Sequence, residues 1–183
     1  EVKRIWRFTA SDGVQLDVTL DSLTLLSDTH TSYALGDGPR FRDTIEFVCS
    51  SFVAVTQLPI ITRIGLRYID NCPAPTETKV FRTYYNTSFP LDRFPLEDAA
   101  EMFCSATVRR GSHMLRYLET LQQEGGRRTL VLDFDAWSEN IDPSTTVTVT
   151  DALHTIILDE FERTIRQPVL DYMREKRENA DAS

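Results

Sequence analysis

The chain has 183 residues, 41% hydrophobic and 10% aromatic, with 26% charged residues and a net charge of −8. That composition fits a single domain, or two small ones sharing a core, and excludes wholesale disorder. The acidic balance disfavours nucleic acid as a partner, because phosphate binding needs a surplus of basic side chains, and no run has the length for a membrane span, so no membrane partner is expected.

Residues 3–9 read as a strand, Ser11-Asp12-Gly13 as a turn and residues 14–20 as the return strand. In that return Val14, Leu16, Val18 and Leu20 alternate with Gln15, Asp17 and Thr19, the pattern of a hairpin with one wet face. A third short strand spans Ser22 to Leu26. After a polar loop, Asp37-Gly38-Pro39 start a helix that runs to about Thr56, with proline in the first turn. Its apolar stripe is Phe41, Ile45, Val48, Cys49, Phe52 and Val53.

A central strand follows from Ile60 to Asn71. Alternation places Ile60, Thr62, Ile64, Leu66 and Tyr68 on a core face, and Ile61, Arg63, Gly65, Arg67 and Ile69 on the other. Arg63 and Arg67 lie about 13 Å apart by strand rise. That is too far to clamp one small anion, but suits two points on an extended partner. The plainer reading pairs each with a carboxylate. Gly65 between them marks a close approach by a backbone or a ligand. Residues 72–99 read as an ordered connection rich in aromatics and proline, with a short helix near Leu96–Ala99.

The pattern then recurs, with strands at 102–109, 113–122 and 128–137, and turns at Gly111-Ser112 and Glu124-Gly125-Gly126. A capping box from Thr148 to Asp151 is expected to open the last helix, whose stripe is Leu153, Ile156, Ile157, Phe161, Thr164 and Ile165. Pro168 breaks or kinks it. The fold class is therefore α+β, with two β-β-β-α pseudo-repeats (about 1–71 and 100–177) in one domain. The pairing is mainly antiparallel, as two small sheets side by side or as one continuous sheet with the helices on one face.

Chemistry-bearing candidates are few. Asp133 and Asp135 share a strand face, and paired carboxylates can hold a divalent cation for phosphoester or nuclease chemistry. The alternative is a solvated acidic face, or salt bridges to Arg63, Arg67 or Arg127. His154 lies beside the last helix's stripe, and His30 and His113 lie at turns. No HExxH, GxSxG, P-loop, GxGxxG or paired CxxC motif is present, and no cofactor is expected. Cys49, Cys72 and Cys104 are odd in number and widely spaced. With no signal sequence, they point to a reducing, cytoplasmic setting.

Leu66–Asn71 (LRYIDN) resembles the central LRYIN-like motif of a sporadically distributed, uncharacterised bacterial protein family. Trp6–Phe8, Leu132–Asp135 and the run from Leu153 to Ile165 are similar to that family too. Two features depart from it: Asp70 stands where an asparagine is usual, with Asn71 following, and the family's additional N-terminal segment is lacking. The start at Glu1 without Met reads as that of a fragment, and the resemblance implies a shared fold and a bacterial setting in a mobile-element or defence-type operon. It assigns no activity. The expected role is a non-enzymatic module that binds a protein partner or forms a homodimer, with Arg63, Arg67, Tyr68 and Asn71 as binding residues. The alternative is a metal-dependent phosphoesterase or nuclease using Asp133 and Asp135. A third reading, a single-stranded RNA binder, would stack bases on Tyr84 and Tyr85.

Overall fold

Alternation and tight turns build the N-terminal residues into a three-stranded meander of β1 (Trp6–Thr9), β2 (Gln15–Val18) and β3 (Leu23–Leu26). The computed structural model describes residues 4–30, 32–34 and 40–171. In register, Trp6 and Phe8 face Val18 and Leu16, which in turn face Leu23 and Leu25, so one side of this sheet is apolar throughout. The other side carries Arg7 opposite Asp17, joined by two hydrogen bonds of 2.8 Å. Helix α1 (Phe41–Thr56) ends at Gln57 in the left-handed region, whose N–H donates to the Val53 carbonyl. The helix start expected at Asp37–Pro39 lies outside the described residues. Val14, Tyr33 and Ile45 are buried here, whereas Trp6 and Phe8 stay exposed. These elements belong to one compact unit, made of residues up to Ile61 with Asp142–Asp151.

The second unit comprises Thr62–Ile141 and the residues from Ala152 onward. Its strands are β4 (Ile61–Pro73), β5 (Met102–Arg110), β6 (His113–Glu124) and β7 (Arg127–Ile141), in the order β4-β7-β6-β5. Two-residue turns join β5 to β6 and β6 to β7. Gly125 and Gly126 both have positive φ, as a type I′ hairpin demands. Arg63 meets Asp135, Arg67 meets Asp133, and the Ala74 N–H reaches the Arg128 carbonyl, so β4 runs antiparallel to β7. The chain is thus an α+β protein with two antiparallel sheets.

The strand read as closing the first half pairs instead with β7, in the second sheet. The order β-β-β-α does recur, but the strands of the first set have four residues each and those of the second nine to fifteen.

The inner face of the large sheet is the main core. Leu115, Leu121, Leu130, Leu132, Phe134 and Ala136 are essentially inaccessible to water, and Tyr117 stacks on Phe134 at 5.1 Å. Helix α3 (Thr146–Thr164) packs Leu153, Ile157 and Thr164 into it. The capping box does not form. A 3-10 turn at Pro143–Thr145 precedes α3, and Asp142 caps that turn by accepting from the Ser144 N–H. Asp151 instead accepts two hydrogen bonds from Arg42, at 2.8 and 2.9 Å, and one from the Tyr33 hydroxyl.

The connection between β4 and β5 contains α2 (Thr78–Tyr84), which the sequence pattern does not reveal, and a 3-10 turn at Leu96–Asp98. Phe81, Tyr85, Phe89, Leu91 and Leu96 of this segment are all buried. Three main-chain carbonyls, of Thr76, Leu96 and Ala99, accept hydrogen bonds from the Arg128 guanidinium. Phe134 is wholly enclosed and stacked. Phe134→Ala should therefore cost about 3–5 kcal/mol of unfolding free energy in urea titrations, against under about 1 kcal/mol for Phe47→Ala at an exposed position.

Candidate functional site

The side chains singled out for chemistry meet on the outer face of the large sheet. Period-two alternation sends Asp133 and Asp135 of β7 outward, because Leu132, Phe134 and Ala136 face the core. The neighbouring strands supply cations on both sides. From β4, Arg67 makes a two-point pair with Asp133 at 2.7 and 2.6 Å. Arg63 donates to Asp135 at 3.2 Å and lies over the Trp137 ring at 5.2 Å. From β6, Arg116 approaches Asp133 and Asp135 at 4.0 and 3.9 Å. Two carboxylates are flanked by three guanidinium groups, and the Asp133 side chain is only 7% exposed against 50% for Arg67.

Gly65 is explained locally. A Cβ there would meet the Arg63 guanidinium at 3.3 Å, so the close approach at this glycine is by a side chain of its own strand. That clearance lets Arg63 fold back towards Trp137 and Asp135.

The expected binding residues do not form one surface. Arg63, Arg67 and Asn71 are exposed, whereas Tyr68 points to the core side and its hydroxyl lies 3.0 Å from His154 Nδ1. Burial and the nearby Asp70 raise the Tyr68 pKa. Asp70 also faces inward, and desolvation raises its pKa. Tyr85 is buried, with its hydroxyl donating to the Pro73 carbonyl at 2.6 Å, so it offers no face for base stacking. His113 is hydrogen-bonded to Ser138, and His30 to Ser27 at 2.6 Å.

Chemically, the outer-face array is a neutralised pair of acids. Each carboxylate is engaged by arginine, and among the described residues no group of three His, Cys, Asp or Glu side chains is placed to hold a metal ion. What remains accessible is the guanidinium side, which presents hydrogen-bond donors to the surface.

A second ionisable group was not singled out by the sequence pattern. Glu119 of β6 is fully buried. It accepts from the Ser88 N–H at 2.9 Å and from the Tyr117 hydroxyl, which itself lies 3.4 Å from Thr164 Oγ1. Glu160 stands near, but its carboxylate is paired to Arg110 at 3.1 Å. Desolvation pushes the Glu119 pKa up to about 7, the Ser88 hydrogen bond opposes the rise, and Glu160 adds to it. The signal was available: Glu119 falls in step with Leu115, Tyr117 and Leu121, at a core position of an alternating strand.

No family model, curated protein or solved structure matches the chain.

Two outcomes follow from this geometry. Arg67 is half exposed, so a double-mutant cycle of Arg67→Ala with Asp133→Ala should give a coupling of only ~1 kcal/mol in urea titrations. Glu119 keeps its proton up to about pH 7 when folded, but ionises near its ordinary 4.5 when unfolded. The folded state therefore binds more protons between those values, and stability falls as pH rises through that window. In Glu119→Gln, Oε1 can accept from Ser88 while the amide N–H donates to Tyr117. The stability of this variant relative to the parent should thus rise by about 3 kcal/mol between pH 4 and pH 8. A difference that does not vary with pH would overturn the assignment.

Proposed function

We propose that the chain is a self-associating protein module rather than an enzyme. The observation that carries this reading is the edge of the large sheet. Strand β5 ends the strand order, and no main-chain hydrogen bond reaches it from outside the sheet among the described residues. Ser105, Ala106 and Thr107 in its middle are exposed. A free, regular edge of nine residues is a template for another strand.

Two further features support the reading. The carboxylates best placed for metal chemistry are engaged by Arg63 and Arg67. The buried Glu119 is engaged by the Ser88 N–H and the Tyr117 hydroxyl. The LRYIDN resemblance adds a bacterial setting in a mobile-element or defence-type operon. The three free thiols suit a reducing compartment, which makes the cytoplasm the proposed location.

Light scattering on a sizing column is the direct test. The expected mass is twice the 21.0 kDa of one chain, falling towards a single chain on dilution. A single-chain mass at every concentration up to about 100 μM, well above the Kd of a stable dimer, overturns the proposal.

A further inference from the structure

The exposed sheet edges differ in what they would do when paired with themselves. Two-fold pairing places residues of equal summed number opposite one another, and opposite residues share a sheet face. The full-length register of β4 is centred on Arg67, so it sets two arginines against each other, which is unfavourable. The edges β1 and β3 have four residues each, an even number. Full pairing there sets Arg7 opposite Phe8, or Thr24 opposite Leu25, and so turns the apolar face of one copy to the polar side of the other.

Strand β5 behaves differently. Its nine residues centre on Ala106. Full antiparallel pairing sets Ala106 against Ala106, Ser105 against Thr107, Cys104 against Val108, and Phe103 against Arg109. No like charges oppose one another, and the small residues fall at the axis. The ends are complementary as well. The Arg109 side chain makes no hydrogen bond or ion pair among the described residues, and neither does that of Glu101, two residues before Phe103. Phe103 is 68% exposed. It borders an open cavity of about 500 Å³ that also holds Asp98 and Glu101, with Arg93 as the single basic group.

We infer that two copies of this chain join through β5 about a two-fold axis at Ala106, forming one continuous eight-stranded antiparallel sheet. In this dimer Arg109 of each copy lies across the exposed Phe103 ring of the other and reaches its Glu101. A guanidinium over an aromatic face and a carboxylate within diagonal reach both favour this placement. The cavity mouth gives the arginine room, and its surplus of acid matches the incoming charge. This inference rests on the self-association proposed above and specifies the surface and register.

The test combines charge exchange with cross-linking. Arg109→Glu brings the new carboxylate of each copy near Glu101 of the other and should raise the dimer dissociation constant by about tenfold or more. Glu101→Arg should do the same by opposing Arg109. The double variant restores opposite charges and should return to within about threefold of the parent. All these positions are exposed, and thermal melts check that each variant is folded. Ala106→Cys places two thiols across the axis, at a separation a disulfide spans. It should give a covalent dimer on mild oxidation, whereas the parent should not, because Cys104 faces Val108. A dimer whose affinity ignores both charge reversals, or whose introduced thiols stay reduced in Ala106→Cys, overturns the β5 register while leaving self-association standing. A chain that is monomeric throughout overturns both.

Discussion

Register in the hairpin set β5-β6-β7 is the constraint on which the large sheet depends. The turns at Gly111-Ser112 and Gly125-Gly126 contain two residues each, so they pin Arg110 opposite His113 and Glu124 opposite Arg127. Every side chain of three strands then has a fixed face. A slip of one residue in β7 would drive Asp133 and Asp135 into the core and expel Leu132 and Phe134. The slipped state would bury two carboxylates and expose two of the best-buried apolar side chains, so one register is selected strongly.

The same alternation gives carboxylates of neighbouring strands opposite fates. Asp133 and Asp135 emerge where arginines from β4 and β6 can reach them, and they pair with those cations. The arginines in turn make β4 more than a main-chain addition to the sheet edge, because its outer face is tied to β7 by charge. Glu119 emerges on the inner face, where its charged neighbour is another acid, Glu160, which is itself paired to Arg110. Burial without a cation among the groups acting on it makes the carboxyl group more stable with its proton. The outer pair and the buried acid thus differ by one residue's parity and by which neighbours carry a charge.

Strand positions and faces were legible in the sequence because they depend on local pattern. The core face of Leu130, Leu132, Phe134 and Ala136 follows from alternation alone, as does the outward direction of Asp133 and Asp135. The pairing of those acids with Arg63 and Arg67 was one of several options, and choosing it required the strand order β4-β7, which no local pattern contains. Helix α2 was illegible for a related reason. Thr78, Val80 and Thr83 are poor helix formers, and the helix exists because Phe81 is buried and Glu97, nineteen residues on, accepts from the Thr78 N–H and hydroxyl. The capping box failed the opposite way. The local motif was present, but Asp142 offered an earlier cap, and Arg42 and Tyr33 drew Asp151 into a long-range cluster.

Edges carry the remaining argument, because a sheet must either defend them or pair them. Arg63 and Arg67 defend β4: they hold positive charge on the edge strand, where a second copy would bring the same charge. Shortness defends β1 and β3. None of these devices operates on β5. Its centre is small and uncharged, it contains no proline or bulge, and its register with β6 is unbroken over all nine residues. Its charges sit only at the ends, with Glu101 before one and Arg109 and Arg110 at the other. That distribution repels a parallel neighbour in register, with acid against acid and base against base, and accepts an antiparallel one. The contrast between the guarded edge and the open one lies within a single sheet, so it cannot be assigned to composition or to net charge. It is a property of which residues the fold places on the last strand.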